Sequence, residues 1–107
     1  MRTQKKTGIK GRAAVLVRTY YAGVHFGYLE SREGREVTLV NSRRAFRFQI
    51  DHVTHGTNQV SCSELAKFGP ARDSRIAVRV SRIVLLDAIE VLFCEPDAIK
   101  AFEAWPS

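Results

Sequence analysis

The chain has 107 residues, 45% of them hydrophobic and 26% charged, which suits one ordinary globular domain and leaves no room for a second. Seventeen Lys and Arg against eleven Asp and Glu give a net charge of +6. No window approaches the roughly 18 uninterrupted apolar residues of a membrane span, and two cysteines, Cys62 and Cys94, make no disulfide framework, so a soluble cytoplasmic protein with reduced thiols is expected.

Residues 1–12 (MRTQKKTGIKGR) carry five cations, no acid and two glycines, too little apolar surface to order themselves. A flexible basic arm is expected there, with one domain over 13–107. From Ala13 the pattern has period two: Val15 and Val17, then Val24, Phe26 and Tyr28, then Val37 and Leu39 predict three half-buried strands. Ser31 to Arg35 includes Gly34 and reads as the hairpin turn between the second and third. Phe46, Phe48 and Ile50 predict a fourth strand that offers its aromatics to the core and Arg47 to the outside. His52 to Asn58 reads as a loop. Ser61-Cys62-Ser63-Glu64 fits a capping box and opens a helix of about two turns, which Gly69-Pro70 ends. Arg75 to Arg82 and Ile83 to Phe93 predict two more strands. Pro96 and Asp97 open a terminal helix that lays Ile99, Phe102 and Trp105 on the sheet. The expected fold class is α+β: a small, mostly antiparallel sheet or partly open barrel of about six strands, with a short middle helix and a C-terminal helix.

Residues 1–53 contribute +7 and residues 54–107 contribute −1, and twelve of the seventeen cations are arginine. Arginine holds phosphate oxygens in a planar fork and stacks on bases, so the composition points to a phosphate-bearing partner. In Arg43-Arg44-Ala45-Phe46-Arg47, alternation puts Arg43, Ala45 and Arg47 on one face, read as the outer one, and Arg44 with Phe46 on the other. With Arg18 or with the Arg75, Arg79 and Arg82 series on a neighbouring strand these cations would form a phosphate-neutralising surface, or else protect a sheet edge. Tyr20 and Tyr21, beside Arg18 and followed by Gly23, His25 and Gly27, could stack on a base. The segment is neither a Walker loop nor a dinucleotide fingerprint. His52, His55 and Cys62 are the one cluster of soft metal ligands, and solvent-facing histidines explain the first two better than a metal site does. Cys62 reads as inert packing rather than a nucleophile. No cofactor or metal is assigned.

The residues Val17-Arg18-Thr19-Tyr20, Ala22-Gly23-Val24-His25, Gly34-x-Glu36-Val37-x-Leu39, Arg43-Arg44, Ser74-Arg75-Ile76 and Ala88-Ile89-Glu90-Val91 together resemble an uncharacterised family of small phage and prophage proteins, over roughly 15–93. The resemblance implies a phage-borne accessory protein, a class that often inhibits bacterial immunity by binding a protein, a nucleic acid or a nucleotide signal, and places it in the host cytoplasm.

The sequence therefore leads to a non-enzymatic protein that binds and sequesters a nucleotide-type anion as an anti-defence sponge. Arg18, His25, Arg43, Arg44, Arg47 and Arg75 would hold phosphates, and Tyr20 or Tyr21 would stack. The alternative is a nucleic-acid-binding or protein-binding inhibitor of a defence system. A chain with no acid–base pair, nucleophile elbow or phosphate loop lacks the groups that turnover demands. Exposed strand edges and one small core favour a homodimer or higher oligomer.

Overall fold

The computed structural model describes residues 11–56 and 60–106, so the expected basic arm lies outside the described residues except for its last two positions. The first three strands are β1 (Ala14–Thr19), β2 (Val24–Glu33) and β3 (Glu36–Arg47), an antiparallel meander. Gly34, at φ +59°, makes the expected turn between β2 and β3 in a backbone region that L side chains rarely enter. Two short helices follow, α1 (His52–His55) and α2 (Cys62–Phe68), then β4 (Arg75–Ile76), β5 (Val80–Leu85), β6 (Ala88–Phe93) and α3 (Pro96–Ala104).

The strand order is β4-β3-β2-β1-β6, with β5 sharing the outer edge of β3: β4 pairs with Ala45 and Arg47, β5 with Val37 to Ser42. Strands β5 and β6 thus flank opposite sides of the sheet, yet only Leu86 and Asp87 join them. That short link requires the sheet to curl into an open half-barrel. Among the described residues no ladder closes β5 onto β6. This is the α+β, mostly antiparallel architecture expected from the sequence.

Several boundaries differ. The expected fourth strand over 46–50 is the end of β3, and the chain leaves the sheet after Arg47. Beyond it the backbone of Gln49 bonds the 71–74 segment instead, accepting from Ala71 N at 2.7 Å and donating to Ser74 Oγ at 2.8 Å. The expected strand over 75–82 divides into β4 and β5, because Arg44 O takes Ala77 N and the Arg43 side chain takes Ala77 O. The described part of the expected loop at 52–58 contains α1, capped by Asp51, whose carboxylate accepts from Thr54 N at 3.1 Å and Thr54 Oγ1 at 2.7 Å. The capping box of α2 is incomplete: the Ser61 hydroxyl bonds the Glu64 carboxylate and caps no backbone N–H.

The curl produces two apolar layers. Inside it, Val15, Val17, Val37, Leu39, Leu85 and Ala88 pack together. Outside it, Leu16, Phe26, Tyr28 and Val40 meet Leu65, Ala66 and Phe102 from α2 and α3. Strand β1 is buried on both faces, which is why Ala14-Val15-Leu16-Val17 is an unbroken apolar run rather than an alternating one. Phe102 lies flat on Phe26 with ring centroids 4.3 Å apart, each ring contributing about 1.5–3 kcal/mol by burial. Gly69 lets α2 end against α3: a Cβ there would sit 2.6 Å from the Ala101 Cβ.

The decisive irregularity lies in β3. Val40 pairs with Tyr28 and Arg43 with Phe26, so β3 advances three residues while β2 advances two. Asn41, at φ +50°, absorbs the extra residue as a bulge, in the left-handed region that asparagine tolerates better than most residues. A one-residue slip exchanges the two faces of everything that follows. Arg43 and Ala45 therefore point under α3, and Arg44 and Phe46 point away from it. The outer face expected to carry Arg43 carries Arg44 instead.

Arg43 is 1% exposed. Its Nε donates to Ala77 O at 2.8 Å, its Nη1 to Trp105 O at 2.8 Å and to Phe102 O at 3.5 Å, and its Nη2 to Pro106 O at 2.7 Å. Three of these carbonyls lie at or just past the end of α3, where orphan acceptors and the negative end of the helix dipole both favour a cation. Glu103 is the nearby acid, itself bonded by the Tyr28 hydroxyl and by Arg79 at 3.1 Å. Replacing Arg43 by methionine keeps the bulk and strands the carbonyls. Arg43→Met should lower stability by about 3 kcal/mol, read as a lower urea midpoint at unchanged slope, and Arg43→Lys should recover only part, because one ammonium cannot fork to both segments.

Candidate functional site

The pairing of Arg18 with Val24, and of Val24 with Ala45, brings the β1–β2 turn and the end of β3 to the same end of the sheet. Most of the residues singled out in the sequence gather there. Tyr20 and Tyr21 cap the turn, 69% and 86% exposed, edge to face with centroids 4.5 Å apart. The turn is tied down by Thr19, whose hydroxyl donates to Gly23 O and accepts from Ala22 N, and by Asp87, which accepts from Tyr20 N and Tyr21 N. Both rings are thus presented by a backbone that is itself held.

Below the turn, His25 faces Arg44 across the β2–β3 ladder, and beside them a cavity of about 200 Å³ opens, walled also by Ser42, Phe46, Val80 and Ile83. Arg44 is exposed, its guanidinium carbon 5.7 Å from the Phe46 ring centroid. Ser42 is 2% exposed, and its hydroxyl has no hydrogen-bond partner. A buried hydroxyl left unpaired costs about 1–3 kcal/mol, so native structures rarely keep one without use. His25 is 1% exposed and donates from Nε2 to Ala22 O at 2.8 Å. Since a carbonyl only accepts, the neutral ring carries its hydrogen on Nε2.

The other candidates divide. Arg47 stands opposite Arg75 across the β3–β4 ladder, both exposed. Arg75 lines a second, shallower groove of about 360 Å³ with Phe46, Ser74 and Trp105. Arg18 is half exposed and paired with Glu90 at 3.2 Å, a surface bond of small worth. Arg43 belongs to the interior and is committed to carbonyls, so it does not join the cluster. Ser42, Phe46 and Trp105 were missed by sequence reading. Alternation places Phe46 in the core, a placement the Asn41 bulge reverses: the ring is 66% exposed. Ser42 has no sequence signal beyond its position after a bulge-forming asparagine.

The remaining reactive groups lie elsewhere. Burial pushes the Cys62 thiol up, with Arg18 opposing and Glu90 adding, and pushes Cys94 up to about 12, so neither is a ready thiolate. His55 stacks on Phe68 with centroids 4.1 Å apart. Among the described residues no three His, Cys, Asp or Glu side chains converge as metal ligands, and no helix is long and apolar enough to cross a membrane.

Against this geometry, residues 12–102 match the domain of unknown function DUF6948. The chain belongs to the DUF6948 family. No curated protein and no solved structure matches it. The DUF6948 segment contains both tyrosines, His25, Ser42, Arg44, Phe46, Arg47 and Arg75, and stops short of Trp105.

Burial is the main influence on His25, lowering its pKa from 6.5, and Arg44 adds to this while the Ala22 bond and Asp87 oppose it. The folded protein then binds fewer protons than the unfolded chain as pH drops below 6.5, so folding stability is full above that pH and declines below it. The urea midpoint should fall through this window in the wild type, and the fall should be smaller in His25→Asn.

Proposed function

We propose that the protein binds and holds a small phosphate-bearing, nucleotide-type ligand at this mouth without turning it over. The observation that carries the reading is the buried, unpartnered hydroxyl of Ser42, a residue on the wall of a cavity that also presents the exposed guanidinium of Arg44. Arg44 offers a fork to phosphate oxygens, the Ser42 hydroxyl offers one further hydrogen bond, and Phe46 offers a flat apolar surface to a base. Arg47 and Arg75 add positive field from the same end, and Arg18 can be released from Glu90 at little cost. The neutral, backbone-bonded His25 ring supports the floor. Tyr20 and Tyr21 stand ready to cover a ring from outside.

Holding a ligand needs only such cations, aromatics and a cleft. In the setting that the resemblance to phage proteins implies, this would sequester a bacterial immune signal in the host cytoplasm. The unpaired edges of β5 and β6, flanked by the exposed Leu86, Ile89 and Phe93, support self-association as a homodimer or higher oligomer.

Ser42→Ala separates a ligand group from a structural one. Removing an unsatisfied buried hydroxyl should leave the urea midpoint unchanged or higher. The same change should weaken adenosine monophosphate binding about tenfold by calorimetry, the worth of one hydrogen bond to a charged group. Chromatography of the heat-denatured complex should return the nucleotide intact at a fixed ratio to protein. Wild-type affinity in Ser42→Ala, or a converted nucleotide, would contradict the proposal.

A further inference from the structure

We infer that the ligand carries two linked nucleotide units and straddles Phe46, with one phosphate at Arg44 and the other between Arg47 and Arg75. This rests on the phosphate-binding reading above and adds the size and valence of the ligand.

The two compartments at this end are neighbours. The Ser42–Arg44 cavity and the Arg75–Trp105 groove share Phe46 and Ala77 as a common wall. The first alone, at about 200 Å³, falls below the span of about 300–1,000 Å³ typical of small-molecule sites, and with its neighbour it enters that span. The wall between them is raised by a second irregularity in β3. Ala45 pairs with Ile76 and Arg47 with Arg75, so Phe46 is the extra residue of a bulge and its ring stands out of the sheet.

Charge indicates what fills the second compartment. Arg47 and Arg75 lie directly opposite each other, an arrangement that destabilises a ladder unless something negative lies between. Among the described residues neither makes an ion pair, whereas Arg18, Arg79 and Arg82 each have a carboxylate. One phosphate does not serve all three of Arg44, Arg47 and Arg75. Arg44 and Arg47 are three strand positions apart, about 10 Å at the usual rise, and the Arg44 guanidinium is engaged over Phe46. Two phosphates on a linker do serve them, and each compartment supplies an aromatic wall for one base: Phe46 in the first, Trp105 in the second. Val80 and Ile83 add apolar wall to the first compartment and Trp105 to the second, a footprint that suits two nucleotide units.

The test is calorimetry on the full chain with three probes: adenosine monophosphate, 5′-phosphorylated diadenylate and an oligoadenylate of eight units. The diadenylate should bind at least about tenfold more tightly than the monophosphate, and the octamer no more tightly than the diadenylate. Arg75→Ala should cut diadenylate affinity about tenfold and monophosphate affinity only about twofold to threefold, the loss of a neighbouring positive field, while Arg44→Ala weakens both about tenfold. Monophosphate binding with no gain for the diadenylate, or equal losses for both in Arg75→Ala, would overturn the two-unit ligand and leave the phosphate mouth standing. Affinity that keeps rising to the octamer would overturn it in favour of a nucleic-acid strand. Absence of binding by every probe would overturn both readings.

Discussion

The guanidinium of Arg43, sealed under the C-terminal helix, ties three separate parts of the chain together. Its donors reach the carbonyl that separates β4 from β5 and the carbonyls at the end of α3 and just past it, while its own backbone belongs to the central strand. A charge buried in this way is tolerated only when its donors are matched, and here they meet peptide oxygens that the helix end would otherwise leave unpaired. Burial lowers the Arg43 pKa, and Arg79 adds to this while Glu103 opposes it, but the guanidinium stays charged.

The mouth follows from the same stretch of chain. Asn41 shifts the strand by one residue, so of two adjacent arginines the first enters the core and the second faces the opening. Ser42, between the bulge and Arg43, is held on the cavity wall by a backbone fixed on both sides, and its buried hydroxyl has no partner in the protein. Preorganisation of this kind lowers the cost of ordering side chains when a ligand arrives. The unpaired hydroxyl and the opposed Arg47 and Arg75 are local costs that a bound anion would relieve, and such costs gather at functional sites.

Much of the fold was legible in the sequence because apolar residues recur at alternate positions through β1 to β3 and because Gly34, Gly69 and Pro96 punctuate the chain where turns and helix ends require them. What was not legible came from long-range pairing. Alternation carries no marker for a bulge at Asn41, so the faces of Arg43 to Arg47 were read in the wrong phase, and Phe46 was placed in the core. The run Ile83 to Phe93 looked like one strand because Leu86 and Asp87, a tight link across the open side of the barrel, interrupt it without a glycine or proline. The strand register places Arg18, Tyr20, Tyr21, Arg44, Arg47 and Arg75 at one end of the sheet. Trp105 joins them only because Arg43 draws the end of α3 toward β4, a contact between residues 62 positions apart that no local pattern encodes.

The separation of Arg43 from Arg44 is open to a single spectroscopic measurement: an amide and guanidinium ¹H–¹⁵N titration of the protein with adenosine monophosphate. The account predicts shifts centred on Ser42, Arg44 and Phe46 and on the Arg44 Nε–H, with the Arg43 Nε–H unmoved and slow to exchange throughout. A shift of the Arg43 Nε–H that matches that of Arg44, or its rapid exchange in the free protein, would contradict it.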